Sequence, residues 1–282
     1  MVFISATTFP TQANATDLHQ PDSERITDPE RVTDPRRITS PERITSPERV
    51  TDPEAARTIF EELERRQNSI TREQAEMNMV ITDARGRTRT RSMVMWSAFD
   101  NNTERSLTVF DDPGNVRGTA FLSVRVDDNR TQKLFLPAVG RIQTITSAQR
   151  SDRFMGSDFT YEDLGDQNTG DYEFLWIETH EKHHRIRASK TGSNQYTAVE
   201  FLIDRTSYAL LQIDYFNDQD QLIKKLTAED LRPLNDLYTA PFRMTMQDLR
   251  EDRNTVITWK KRETGDDIPE WRFTDRGLRR GL

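Results

Sequence analysis

The stretch His180-Glu181-Lys182-His183-His184 matches the H-E-x-x-H pattern of zinc hydrolases. That chemistry requires a helix, because histidines four residues apart then lie about 6 Å apart along the axis and can share one zinc ion. Strand-like runs precede the stretch at 172–178 and follow it at 184–188. In an extended chain the outer histidines would stand roughly 13 Å apart. The pattern therefore predicts a hairpin turn at 179–183, and a zinc-dependent hydrolase is the least favoured function.

No other residues have the spacing of a catalytic set. The chain has no cysteine, which excludes disulfides, thiol catalysis and a lipid-modified N-terminal cysteine. It contains neither a G-x-S-x-G nucleophile elbow nor a glycine-rich phosphate loop. We therefore expect no catalytic residue, no bound metal and no cofactor, and we favour a protein that is not an enzyme.

Composition narrows the class of partner. Charged residues make up 31% of the chain and hydrophobic residues 34%, so part of the chain is expected to lie outside any core. The formal net charge is -7, whereas domains that bind nucleic acid usually carry a basic excess for phosphate contacts. No run reaches the roughly 18 apolar residues of a membrane-spanning helix. We expect no nucleic-acid partner and a chain that does not span the membrane.

The N-terminus carries a candidate export signal. Ala13-Asn14-Ala15 fits the small-x-small pattern before a signal-peptidase site, which would leave Thr16 as the mature end. An apolar stretch begins at Val2, although no basic segment precedes it. We interpret residues 1–15 as the remnant of a signal peptide that starts upstream. The alternative is an ordinary disordered start.

Residues 16–53 form a tail with an internal repeat. Five hexapeptides follow one another from Glu24 to Pro53: ERITDP, ERVTDP, RRITSP, ERITSP and ERVTDP. Each proline can begin a helix but stops the preceding one, and one Ile or Val per unit cannot build a core. We expect an extended, solvated tail. It is either a spacer or docking arm, or a repeat expansion without a selected role.

The last hexapeptide leads into the first predicted helix. No proline follows Pro53 for many residues, so the helix can continue to about Asn68. Helical spacing places one set of apolar residues on a single face: Ala55, Ala56, Ile59, Phe60 and Leu63.

From Gln74 onward the apolar pattern alternates, as it does in strands. The predicted strands are 76–81, 87–99, 105–110, 119–126, 132–136, 141–145, 172–178, 184–188, 196–203, 207–216, 221–226, 244–248 and 255–260. Turn signals between neighbours indicate an antiparallel meander. Such a sheet tends to curl, and helices or a ligand must fill its concave face. We also expect helical pieces within 151–164 and near Leu278.

Three blocks in the middle of the chain carry a family resemblance. They are 115–122 (NVRGTAFL), 134–142 (LFLPAVGRI) and 153–164 (RFMGSDFTYEDL), of which the third is the longest and most unusual. In this order and spacing they resemble the bacterial outer-membrane lipoprotein-sorting family, which has a LolA-like fold. The resemblance extends from about residue 55 to the C-terminus and includes Phe273-Thr274.

The resemblance implies a fold and a function. The fold is mainly β (α+β): an incomplete antiparallel β-barrel of about ten or eleven strands, with helices plugging its concave face. Residues 54–282 would form this LolA-like lipid-binding domain. Such proteins resemble periplasmic carriers of lipids or lipoprotein acyl chains in Gram-negative bacteria, and several are partners of inner-membrane RND-type exporters. Two functions therefore stay open: a carrier that transfers acyl chains toward the outer membrane, and a cargo-free exporter module.

The alternating methionines and the third block predict an apolar cavity. Methionine adapts to irregular apolar ligands, although it also packs well under a helix. We expect residues 154–164 to be either a movable lid or a fixed plug over the cavity. The predicted ligand-binding residues are Met77, Met79, Met93, Met95, Phe121, Leu134, Leu136, Phe154, Met155, Phe159, Tyr161 and Leu164.

Overall fold

The computed structural model describes residues 49–100, 103–127, 129–165, 169–193, 195–265 and 267–282. The expectations for a signal remnant at 1–15 and for the tail up to residue 48 lie outside these residues. The fold below therefore concerns the predicted LolA-like domain and the last residues of the tail.

The first helix, α1, spans Pro53–Gln67 as predicted. Its N-terminus is capped by Asp52, whose carboxylate accepts a hydrogen bond from the Ala55 amide at 2.9 Å. Ala56, Phe60 and Leu63 are buried along one face at helical spacing, which confirms the predicted apolar stripe. The last repeat unit thus supplies the start signal of the helix.

Fourteen strands form one antiparallel sheet in the described residues. They are β1 Arg49–Val50, β2 Arg72–Thr82, β3 Thr88–Asp100, β4 Thr103–Asp112, β5 Ala120–Val126, β6 Asn129–Leu136, β7 Arg141–Thr144, β8 Tyr172–Thr179, β9 His183–Lys190, β10 Ala198–Asp204, β11 Leu210–Phe216, β12 Leu222–Pro233, β13 Thr239–Asp248 and β14 Arg253–Thr264. A second helix, α2, spans Asp275–Arg280. The described residues contain these two α-helices, and neither is long and apolar enough to cross a bilayer.

Each predicted strand overlaps an observed one, so the antiparallel meander is confirmed. The prediction of an incomplete antiparallel sheet is confirmed, but the predicted number of ten or eleven strands was wrong, since the described residues form fourteen. A closed barrel limits its strand number by its diameter, whereas an open sheet can add strands at both edges.

One added strand comes from the tail. Arg49–Val50, which we assigned to the solvated tail, pairs with β8 as the edge strand β1. Arg49 donates a hydrogen bond to Glu178 at 2.9 Å, and its guanidinium lies 4.0 Å from the centre of the Trp176 ring. These contacts order the residues just before α1.

Two series of hairpins meet in the centre of the sheet. The strand order is β1-β8-β9-β10-β11-β12-β13-β14-β2-β3-β4-β5-β6-β7, so β14 pairs with β2. The strand β7 therefore lies at one edge, while β8, the next strand in the chain, lies near the other. The connection between them must cross a face of the sheet. It contains residues 153–164, the third block of the family resemblance.

Alternation separates the buried side chains into two clusters on opposite faces of the sheet. On β3, Met93 and Met95 belong to the inner cluster, together with α1 and the crossing segment. Trp96 and Ala98 on the same strand belong to the outer cluster, together with Leu278 of α2. The prediction that helices plug the concave face was therefore wrong in part. One helix and an irregular crossover cover the inner face, and α2 packs on the other.

The outer cluster makes a testable contribution to stability. Leu278 is fully buried in it, whereas Leu282 is 58% exposed. Replacing Leu278 with Ala should lower the free energy of unfolding by about 2–5 kcal/mol, because a cavity remains in the packed cluster. Leu282→Ala is the matched control and should change it by less than about 0.5 kcal/mol. Urea unfolding measures both; an equal effect of the two substitutions would contradict the packing of α2.

Candidate binding cavity

A cavity of about 320 Å³ lies on the inner face between the sheet, α1 and the crossing segment. This volume falls within the range of small-molecule sites. Its walls are mainly aliphatic, aromatic and methionine side chains, with polar groups at a few positions. Such a lining suits a ligand with a long apolar part and few directed polar groups.

Eight of the twelve predicted residues line this cavity: Met77, Met79, Met93, Met95, Phe121, Phe154, Phe159 and Leu164. The other four pack in or against the inner cluster without bordering the cavity: Leu134, Leu136, Met155 and Tyr161. The structure thus brings together residues from β2, β3, β5 and the crossing segment. That they bind a ligand stays a prediction.

Sequence reasoning missed the opposite wall of the cavity. It is contributed by α1 and by the strands from β10 to β14. Its residues include Phe60, Leu63, Phe201, Leu210, Ile213, Tyr215, Leu226, Met244, Ile257 and Trp259. The alternation that marks Met77 and Met79 also runs through these strands, but it does not show which strands oppose one another. The pairing of β14 with β2 decides that.

The cavity opens at the end where α1 finishes, β2 begins and β3 ends. The lining residues there are partly exposed and include Gln67, Asn68, Ser97 and Glu104. A buried ion pair borders this rim: Arg262 contacts both carboxylate oxygens of Glu73, at 2.5 and 3.1 Å. A bidentate pair of this kind holds β14 against β2 at the entrance.

The crossing segment closes the opposite end. The Phe154 ring lies 5.7 Å from that of Phe110 and 5.2 Å from that of Phe121, measured between centroids. Phe154 is 2% exposed and Phe159 is 4% exposed. Aromatic packing at these distances adds to the stabilisation from burial. The two phenylalanines therefore close this end of the cavity. We call the segment 153–164 that carries them the floor.

Charged groups attach the floor to β13 and β14. Asp158 is buried, accepts a hydrogen bond from the Thr255 hydroxyl at 2.6 Å and lies 3.1 Å from the Arg253 guanidinium. Arg153 donates to Asp248 at 2.9 Å. A buried carboxylate without such partners would be costly, so each attachment point specifies the position of the floor.

A second buried pair ends the floor. Lys224 on β12 donates to Asp163 at 2.6 Å, and each side chain is 1% exposed. The Tyr196 hydroxyl donates to Asp163 at 3.0 Å. Burial by itself would raise the pKa of Asp163, but the charge and hydrogen bond of Lys224 outweigh it, and the pKa lies below its usual value. Burial and the Asp163 charge raise the pKa of Tyr196 well above normal, so its hydroxyl stays protonated.

The H-E-x-x-H stretch is a hairpin turn, as predicted. The strand β8 ends at Thr179 and β9 begins at His183, and the His180 amide donates to the His183 carbonyl at 2.8 Å. His184 points back to Thr179, with 3.0 Å between Nδ1 and Oγ1. Within the described residues no group of three or more His, Asp or Glu side chains is arranged to hold a metal. The stretch thus lacks the helical geometry that a zinc hydrolase uses.

Comparison with known proteins assigns the chain to a family. A family model described as an uncharacterized protein matches residues 102–280, more than half of the chain. The chain belongs to this family. Comparison with curated proteins gives no significant match. The family match includes the floor, β7 and both strands of the 179–183 hairpin.

Solved structures share the fold. An outer membrane lipoprotein-sorting protein domain from Vibrio parahaemolyticus is 27% identical with a TM-score of 0.76, covering 81% of this chain and all of its own. A DUF1329 family protein from Desulfovibrio piger is 24% identical with a TM-score of 0.75 and the same coverage. A LolA superfamily protein from Nitrosomonas europaea is 19% identical with a TM-score of 0.60, covering 80% of this chain and 98% of its own. The predicted resemblance to lipoprotein-sorting proteins with a LolA-like fold is confirmed.

Replacing Lys224 with Met should lower the free energy of unfolding by about 3–5 kcal/mol at neutral pH, because the Asp163 carboxylate would remain buried without its cation. Lys225→Met is the matched control on the same strand. The Lys225 ammonium lies 3.7 Å from Asp214, and its side chain is 31% exposed. The control should lose less than about 1 kcal/mol. Urea unfolding of the two variants measures the difference.

The stability lost in the Lys224→Met variant should depend on pH. Because the pKa of Asp163 is lowered in the folded protein, its ionised form contributes stability that is fully present above the unfolded pKa of about 3.9. That stability is lost as the pH falls through the folded pKa. In Lys224→Met, burial without the cation raises the pKa of Asp163, so its protonation relieves the buried charge and the difference from wild type should shrink as the pH falls from neutral, starting above the usual pKa of about 3.9. A difference that stays constant from neutral to acid pH would contradict an ionised pair.

Proposed function

We propose that this protein is a carrier that binds the acyl chains of a lipid or lipoprotein and transfers them toward the outer membrane. The observation that supports it is the inner-face cavity, which is apolar, open at one end and closed by the floor at the other. An acyl chain can enter such a cavity lengthwise and keep its polar head at the rim.

The chemistry of the walls matches this cargo. Burial of each CH₂ group contributes about 0.8 kcal/mol, so an acyl chain can bind through contact area without directed polar contacts. Five methionines line the cavity: Met77, Met79, Met93, Met95 and Met244. Their flexible thioether side chains adapt to chains of different length and shape. The protein would then accept acyl chains of different length without specific hydrogen bonds to them.

The cavity favours a carrier over a cargo-free module. A module that acts only through its surface has no need of an open apolar space, and filling such a space with side chains would stabilise it. The cavity instead stays continuous from the rim to the floor. The partnership with an RND-type exporter expected from the resemblance stays a prediction that no contact in the structure favours.

The proposed location is the periplasm of a Gram-negative bacterium. The similarity to a lipoprotein-sorting domain at 27% identity supports this location, as does the export signal predicted at residues 1–15. The proposed role is binding and transfer without chemistry, because the buried charged groups that border the cavity, Asp163, Glu73 and Arg262, are held in ion pairs.

We infer that residues 153–164 act as a fixed floor rather than as a movable lid. Opening would separate the buried Asp158 from Arg253 and Thr255, and would expose Phe154 and Phe159 to water. Leaving a buried charge without its partner costs several kcal/mol. Exchange of cargo would then occur through the rim at the end of α1.

Cargo binding can be tested by filling the cavity. Met95 is half-buried and lines the cavity near the rim. Trp at this position would occupy the space of two or more methylene groups, so the affinity for an acyl chain should fall at least about tenfold. The measurement is native mass spectrometry after gentle extraction, followed by titration with a fluorescent fatty acid.

Thr90→Trp is the matched control. Thr90 lies on the same strand, on the opposite face and exposed to solvent, so acyl-chain affinity should be unchanged. A wild-type protein that carries no acyl lipid after extraction and binds no fatty acid would overturn the proposed function. Equal binding by wild type and Met95→Trp would place the ligand elsewhere.

Hydrogen exchange distinguishes a fixed floor from a lid. In a fixed floor the amides of residues 153–164 exchange only through global unfolding. Fatty acid should then increase their protection only by as much as it increases the stability of the whole protein. Phe159→Ala should lower the free energy of unfolding by about 3–5 kcal/mol, whereas the half-buried Met155 should tolerate Ala at a smaller cost. Faster local exchange confined to this segment would support a lid.

A further inference from the structure

An arginine cluster surrounds a tryptophan on the outer face of the sheet. The Trp271 ring is half-buried, and three guanidinium groups lie close to it. The distances from the ring centroid are 5.1 Å to Arg272, 5.7 Å to Arg276 and 4.7 Å to Arg280. With the exposed Arg279, these residues form what we call the arginine–tryptophan patch. Cations near an aromatic face are attracted to it, but they repel one another.

The positive charges of the patch are not compensated locally. None of its four arginines forms an ion pair with another residue of the described chain. The nearby acids are already engaged, because Glu270 pairs with Arg105 and Asp275 accepts a hydrogen bond from Lys133 at 2.7 Å. In a chain of net charge -7, these four arginines lie within nine consecutive positions and have no acidic partner among the described residues. They form a positive surface on an acidic protein.

Arg272 shows the effect of this clustering. Its guanidinium stacks 3.9 Å from the Trp96 ring centroid, and its Nη1 atom is buried without a hydrogen-bond partner among the described residues. Burial and the charge of Arg280 both lower the pKa of Arg272. This direction is expected where cations face one another, and an anion placed on the patch would reverse it.

The patch is rigidly held. Phe273 and Leu278 are buried in the outer cluster, one on each side of the turn into α2. At Gly277 an added Cβ would lie 1.9 Å from the Arg272 carbonyl oxygen, so only glycine allows α2 to approach this closely. The arginines on α2 are therefore presented in a fixed arrangement around Trp271.

The patch lies beside the entrance of the cavity. Glu270 precedes Trp271 and pairs with Arg105, which borders the rim next to Glu104. On β3, Trp96 lies between Met95 and Ser97, both of which line the cavity. A flat surface that contacts the patch would therefore also be near the rim.

We propose that the arginine–tryptophan patch docks the protein onto an anionic phospholipid surface, with the cavity rim beside the bilayer. Charge complementarity selects this occupant, because guanidinium groups bind phosphate through paired hydrogen bonds. Tryptophan favours the headgroup region, where its ring is apolar and its N–H stays hydrated. Docking is separate from cargo binding and uses residues on the opposite face of the sheet.

The test is co-sedimentation of the full chain with vesicles of phosphatidylcholine, with and without phosphatidylglycerol, at low and high salt. The protein should bind only the anionic vesicles, and salt should weaken binding by screening the charges. The triple variant Arg276→Gln/Arg279→Gln/Arg280→Gln should bind them about 100-fold more weakly, since each cation near such a surface contributes about a fivefold factor.

The matched control removes the same charge at the far end of the sheet. Arg85, Arg87 and Arg89 lie in or beside the β2–β3 turn, and all three are exposed. β2 runs from the rim to this turn over eleven residues, roughly 35 Å. The variant Arg85→Gln/Arg87→Gln/Arg89→Gln should retain nearly all of the wild-type binding. Trp271→Ala should remove the part of the binding that persists at high salt.

Three outcomes would overturn the docking proposal. They are no binding to phosphatidylglycerol vesicles, equal losses in the two triple variants, and binding to polyglutamate as tight as binding to phosphatidylglycerol vesicles, which would indicate an acidic protein partner. Fatty-acid titration of the same variants keeps the proposals apart. If the Arg276/Arg279/Arg280 triple variant fails to bind vesicles but still binds fatty acid, docking and cargo binding are separate. If the wild-type protein binds vesicles but no fatty acid, the carrier proposal is overturned and the docking proposal stands.

Discussion

One topological constraint organises the molecule: the chain must pass from β7, at one edge of the sheet, to β8 near the other. Because the two hairpin series meet where β14 pairs with β2, no short turn can join these strands. The connecting segment has to cross a face, and it covers one end of the inner side. The cavity exists because this crossover and α1 cover only part of that side.

The crossover lacks long regular structure and is held by a few polar attachments. Asp158 reaches β14 through Arg253 and Thr255, and Asp163 reaches β12 through Lys224. Aromatic rings fill the space between these points. Such buried pairs contribute less to net stability than apolar packing would, but they specify a single position. This arrangement keeps the depth of the cavity constant.

The two faces of the sheet have separate roles. The inner side chains of β3 border the cavity, while its outer side chains support α2 and the arginine–tryptophan patch. The period of two along a strand makes this separation possible, since neighbouring residues point in opposite directions. Substitutions on one face can therefore alter the cavity without altering the other surface.

Local patterns in the sequence determined the elements. Asp52 and Pro53 start α1, alternation marks the strands, and the H-E-x-x-H stretch between two strands indicates a turn. Eight cavity-lining residues could also be predicted, because they lie on the two strands with alternating methionines, in the first block (Phe121) or in the third block. Only the tertiary structure decided the rest: the fourteenth strand β1, the wall from β10 to β14, the floor's partners and the outer position of α2. These depend on pairing between residues as far apart as Asp163 and Lys224, and periodicity along a chain carries no information about which distant strand lies opposite.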